Sequence, residues 1–222
     1  MEQALSVITR ESIQLTGAGR TDTGVHAAYF VAHFETENTE LDNPDFVYKL
    51  NSYLGSDIVI YALTKVTSDA HARFSALSRT YVYHINLRKD PFRQETAYYF
   101  PRSLNVDAMN EACEVLFKYT DFTSFSKLHT DVKTNNCKIE HAEWIQKDHE
   151  LIFTISADRF LRNMVRAIVG TLLEIGLGKI DRKGFIEIIE QKDRGEAGAS
   201  VPACGLSLID IKYPESIFKR LV

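Results

Sequence analysis

The chain is poor in the residues that staple a scaffold covalently or through metal. Three cysteines (Cys113, Cys137, Cys204) stand far apart in 222 residues with no CxxC pair. Neither a disulfide framework nor a zinc site is expected from them, and a reducing cytoplasm is the expected location. Glycine and proline are scarce, at 11 and 5 residues, which excludes collagen-like and low-complexity classes. No run approaches the roughly 18 uninterrupted apolar residues of a membrane span. The best candidate, Phe160–Ile175, is broken by Arg162 and Arg166. The opening MEQALSVITRES has no basic stretch ahead of an apolar one, so no secretory signal is expected. An excess of positive charge is lacking too: the net charge of −4 argues against indiscriminate nucleic-acid binding.

What is present suits a globular protein with a sizeable core, since 45% of residues are hydrophobic and 25% charged. The charges are unevenly placed. Glu35, Glu37, Glu40, Asp42, Asp45 and Asp57 face only Lys49 in their stretch, whereas Arg73, Arg79, Arg88, Lys89 and Arg93 face only Asp90. An acidic face and a basic one follow, the basic one suited to local phosphate contact or simply to a solvated surface.

Alternating apolar positions predict strands at Tyr29–Thr36, Tyr81–Leu87 and Leu206–Tyr213. A hairpin is predicted from Ile139–Gln146 and Leu151–Ala157, joined through Lys147-Asp148-His149-Glu150. Helical spacing is clear at Val106–Phe117, with Asn105 as N-cap, at Phe160–Ile175, closed by Gly176 and Gly178, and at Asp181–Gln191. Strands and helices cluster rather than alternate, which predicts an α+β fold with a mostly antiparallel sheet. Lys192–Cys204, rich in Gly, Ala and Ser, reads as a mobile segment or a lid.

Three segments carry chemistry. In Gly17–Ala27 (GAGRTDTGVHA) three glycines allow a tight turn, and Arg20 and Asp22, two apart, project the same way from an extended loop. The plain alternative is a polar turn with a solvated ion pair. The dinucleotide fingerprint is excluded because the third glycine comes too late and no aliphatic strand precedes it. Asp22-Thr23-Gly24 spells the aspartic-protease tripeptide, which would need a second carboxylate through dimerisation; Arg20 nearby opposes the shared proton that chemistry requires. In the second segment, Arg79-Thr80-Tyr81-Val82-Tyr83, an aromatic plane beside an arginine suits an unstacked base, while Tyr83 reads better as sheet core. In the third, Arg162 and Arg166 enter an apolar helix four residues apart. A buried carboxylate partner is expected for Arg166 before Arg162, the plain alternative being that they snorkel to solvent.

Together with His71–Tyr83 (HARFSALSRTYVY), Asp121–Phe125 (DFTSF), Phe160–Gly170 (FLRNMVRAIVG) and Pro202–Tyr213 (PACGLSLIDIKY), these segments resemble the tRNA pseudouridine synthase A (TruA) family over essentially the whole chain. The resemblance implies a pseudouridine synthase fold: two similar halves, 1–100 and 101–222, with mostly antiparallel sheet flanked by helices around a central cleft. It implies isomerisation of uridine to pseudouridine at positions 38–40 of the tRNA anticodon arm, by a homodimer without cofactor or metal. Asp22 falls on the catalytic aspartate, Tyr81 on the active-site tyrosine, Arg166 on the arginine that pairs with the aspartate, and Arg20 on a residue assisting base extrusion. Arg166 would keep Asp22 charged in a dry pocket. Met1–Leu5 falls inside the family's first helix, so the opening strand with its Tyr-Asp-Gly and Trp-Gln signature is expected to be missing, leaving sheet edges exposed. Ala70 and Thr120 also depart from the family pattern. A second reading is therefore a catalytically impaired tRNA-binding module of the same fold.

Overall fold

A computed structural model describes residues 1–38, 41, 43–127 and 134–218; Glu40 and Asp42 of the acidic stretch lie outside the described residues. The chain folds as two compact units. The first holds residues 1–19, 31–76 and the segment from Tyr213 onward. Helix α1 (Glu2–Thr9) and helix α2 (Pro44–Tyr53) pack together there around Ala4, Leu5, Ile13 and Leu50. Strand β1 (Thr16–Gly17) pairs antiparallel with β3 (Ala32–His33), and Ala18 N–H extends the ribbon by donating to Val31 O at 2.8 Å.

The second unit, residues 20–30 and 77–212, carries a six-stranded sheet. Its strands are β2 (His26–Ala27), β4 (Ser78–Asn86), β5 (Tyr98–Tyr99), β6 (Ile139–Lys147), β7 (Glu150–Ala157) and β8 (Leu206–Lys212), with β4 central between β7 and β8. The β4, β6, β7 and β8 ladders are antiparallel; β2 joins β8, and β5 joins β4, in parallel. Along β7 the alternation is strict, with Leu151, Phe153, Ile155 and Ala157 all buried. On β6 a register irregularity between Ile139 and His141 lets Ile139, Ala142 and Trp144 all face inward. Helices α3 (Val106–Leu116), α4 (Met164–Gly176) and α5 (Arg182–Gln191) complete this core. The architecture is α+β, a sheet flanked by helices.

Several expectations are corrected. The compact units cut across the halves 1–100 and 101–222, because β4 forms the centre of a sheet whose other long strands come from beyond residue 138. The first unit has only a two-stranded ribbon among its described residues. The strand expected at Tyr29–Thr36 shrinks to Ala32–His33, with Phe30 exposed. The helix expected from Phe160 starts at Met164, because Asn163 sits at φ +67°, a left-handed backbone that a right-handed helix cannot run through. Gly176 is its last residue and Gly178, at φ +70°, closes the turn. Helix α2 escaped sequence reading because it buries only Leu50, although Asn43 caps it and Pro44 opens it. The hairpin, the Asn105 cap (accepting from Ala108 N–H at 3.0 Å) and the Asp181–Gln191 helix match expectation. Cys113 and Cys137 are buried free thiols whose ionisation burial pushes up to about 12.

Candidate active site

The Gly17–Ala27 loop reaches the sheet through local geometry. Val25 N–H donates to Asp22 O at 3.1 Å, closing a turn in which Gly24 takes φ +85°, a conformation glycine adopts without a Cβ penalty. Strand β2 follows at once and pairs with Ser207 and Leu208 of β8. Ala27, Leu208 and Tyr81 thereby occupy one row across three neighbouring strands. The turn that presents Asp22 is thus fastened to β8, whose other edge pairs with the strand that presents Tyr81.

The Asp22 carboxylate, 24% exposed, receives two guanidinium groups. Arg166, in the first turn of α4, donates from Nη1 to Oδ2 at 2.9 Å and from Nε to the Val201 carbonyl at 2.7 Å. Its own carbonyl accepts from Val201 N–H at 3.2 Å. Arg162 donates from Nε to Oδ1 at 3.4 Å and is 58% exposed. Of the two arginines, Arg166 was expected first to find a carboxylate and makes the shorter, more buried contact; Arg162, mostly exposed, reaches the same carboxylate. Helical spacing is not the cause, since Arg162 precedes the helix.

Tyr81 is largely covered and meets Phe160 edge-on, with ring centroids 5.2 Å apart. Burial pushes its hydroxyl pKa up, against the pull of Arg79, so the phenol keeps its proton at physiological pH. Tyr83 is fully buried and donates to Pro202 O at 2.7 Å; it is core, as its sequence position suggested. Arg20 is exposed and makes no ion pair or side-chain hydrogen bond among the described residues. The structure therefore brings Asp22 and Arg166 into contact, sets Tyr81 on β4 with β8 between it and β2, and leaves Arg20 exposed.

The segment Lys192–Cys204, expected as a mobile segment or a lid, is packed down by hydrogen bonds within itself and to α4. Arg194 donates to the carbonyls of Ala197 and Gly198 and to Ser200 Oγ. Gly198 N–H donates to Thr171 Oγ1 at 2.9 Å, and Asn163 Nδ2 donates to Ser200 Oγ at 2.6 Å. A strap laced to α4 in this way fixes the Val201 carbonyl that aims Arg166. Its small residues signal close packing rather than looseness, a distinction composition alone does not make.

Two hollows of about 280 and 530 Å³ share Arg93 and Cys204, and neither is lined by Asp22. His84 and Arg93, which line the smaller, both meet Glu150, so the Arg93 charge is locally answered. Among the described residues no three His, Cys, Asp or Glu side chains converge as a metal site, and no helix is long and apolar enough to cross a membrane. Both Asp22 oxygens lie on arginines, so the protease reading finds no shared-proton pair here.

The profile of the tRNA pseudouridine synthase family matches residues 119–214. A tRNA pseudouridine synthase A of Parabacteroides distasonis is 55% identical over 218 residues, covering 98% of this chain and 86% of its own length. The chain belongs to the tRNA pseudouridine synthase A family. Other members include that of Bacteroides thetaiotaomicron, 53% identical over 98% of this chain and 82% of its own length, and that of Clostridium acetobutylicum, 40% identical over 96% and 88%. The family is one of isomerases. Its profile takes in β6, β7, α4, α5 and β8, the elements that supply Arg166, the strap and the anchor for β2.

Proposed function

We propose that this chain isomerises uridine to pseudouridine in the anticodon arm of tRNA, at positions 38–40, acting in the cytoplasm as a homodimer. The observation that supports this best is the Arg166–Asp22 contact, which joins two family motifs 144 residues apart at 2.9 Å on a partly open surface. The reaction breaks the bond from uracil N1 to ribose C1′ and forms one from C5 to C1′. The C5 hydrogen leaves as a proton and N1 gains one, so no external group or electron is required. Asp22 starts it as a nucleophile or base at the sugar. Arg166 holds one carboxylate oxygen in place and turns the other toward the substrate.

The target base has to leave its stack, at a cost of a few kcal/mol. Tyr81 offers a ring face against the extruded uracil, with a hydroxyl that stays protonated. Arg20, exposed and without a side-chain partner among the described residues, enters the vacated stack. Phosphate contacts and RNA shape position the arm.

Tritium release from 5-tritiated uridine in tRNA tests the reading. The protein should release it, and Asp22→Ala should reduce release to background while tRNA binding survives. Turnover near wild type in that variant removes Asp22 from its role. Binding of tRNA by the unmodified chain without any release favours the impaired binding module.

A further inference from the structure

The two guanidinium groups on Asp22 differ in everything but charge. Arg166 is 19% exposed and tethered at a second point, the Val201 carbonyl. Arg162 is 58% exposed, stands 3.4 Å from Oδ1, and has no other side-chain partner among the described residues. An exposed pair at that distance contributes little and is readily exchanged. The backbone beneath it is nonetheless fixed, because Asn163 is left-handed at φ +67° and its amide is bonded to Ser200. The Arg162 side chain, by contrast, is held by that one long contact.

Charge points to what it moves toward. One carboxylate and two guanidiniums leave the cluster with an excess of one positive charge, which one further anion would balance. Each nucleotide of an RNA carries such an anion, a phosphodiester on the ribose whose C1′ reacts. A phosphodiester also suits the planar guanidinium fork, which a 3.4 Å contact through Nε alone leaves largely unused. Meanwhile Oδ2 is committed to Arg166, so Oδ1 is the oxygen left for the sugar, and Arg162 lies across it.

We propose that Arg162 is an exchangeable guard on the reacting carboxylate. In the free protein it covers Oδ1; when RNA enters, its guanidinium passes to a phosphate of the extruded nucleotide and uncovers that oxygen. Phosphate capture and exposure of Asp22 become one event, so the carboxylate is open only to a substrate with a backbone. This role rests on Asp22 being the reacting group, and it makes Arg162 a binding and positioning residue separate from Arg20 and Arg166.

The test compares Arg162→Gln and Arg162→Lys with the unmodified protein by salt-dependent tRNA binding and by steady-state tritium release. Loss of one phosphate contact should lower the slope of log Kd against log salt by about 0.7 to 0.9 in the Gln variant. Its KM should rise about tenfold while kcat changes little, and its melting temperature should match wild type. The Lys variant, which keeps the charge, should restore the slope. An unchanged slope in the Gln variant overturns the proposal, as does a fall in kcat with KM unmoved, which would mark Arg162 as a mere brace for Asp22. The slope needs no turnover, so a chain that binds tRNA without isomerising it still reads out Arg162 separately.

Discussion

Arg166 serves two acceptors with one planar group, and the two uses are not separable. Its Nε bond fixes the guanidinium plane against the strap, and only then does Nη1 meet Oδ2 of Asp22. Removing it leaves Oδ2 of Asp22 and the Val201 carbonyl without their donor, with only the long Arg162 contact remaining on the carboxylate. Arg166→Ala should therefore cost about 2 kcal/mol of stability and roughly a hundredfold in turnover through misplacement of Asp22. Thermal melting and tritium release would read both. Equal melting temperature and rate would show that the pair is incidental. That Asp22 and Arg166 belong together was legible because their motifs are distinctive. The place of Arg162 was not, because exposure and pairing are different properties and sequence pattern reports only the first.

At the scale of elements, α4 and the 197–204 strap work as one piece. A Cβ on Gly170 would come within 1.9 Å of the Ala199 carbonyl oxygen, a backbone atom that cannot swing aside. Gly170→Ala should lower stability by about 1–3 kcal/mol and depress turnover further than its stability loss explains, because Val201 and hence Arg166 would shift. A melting curve beside a rate measured well below the transition separates the two effects; a variant folded and fully active would show that the strap does not set the site. The long strands, the Asn105 cap and α5 were legible, since alternation of period two and capped helical stripes are strong local signals. The start of α4 was not: Phe160 and Leu161 continue the apolar stripe, and the left-handed Asn163 leaves no trace in hydrophobicity. The pinned strap was read as a lid because Gly, Ala and Ser permit both looseness and close approach. Helix α2 was missed because it contributes one buried side chain.

At the scale of the whole molecule, a chain of net charge −4 meets a polyanion only where positive charge is concentrated, and Arg162 and Arg166 supply that concentration at Asp22. Acid should weaken the two units in separate windows. In the first, burial and the nearby His71 push the His33 pKa below 6.5, against Glu35, while Nδ1 accepts Ala72 N–H at 3.0 Å. The unfolded chain takes that proton first, so stability is full above pH 6.5 and falls as pH drops below it. In the second, burial raises Glu150, but hydrogen bonds and charge from His84 and Arg93 outweigh it and leave its pKa below 4.5. Its contribution is present above pH 4.5 and lost as pH falls further. Melting temperature against pH should show both declines. His33→Asn, which keeps an acceptor, should flatten the first, and Glu150→Gln part of the second; curves parallel to wild type would contradict the assignment.

The parallel pairing of His26 with Ser207 also sets a schedule. The loop bearing Asp22 is made before its docking strand, which follows roughly 180 residues later, about ten to forty seconds at ordinary rates of synthesis. Until β8 arrives, Asp22 has no seat and Arg166 no neighbour to aim at. A chain interrupted before β8 would therefore lack the seat of the Asp22 turn, however much of the rest had folded.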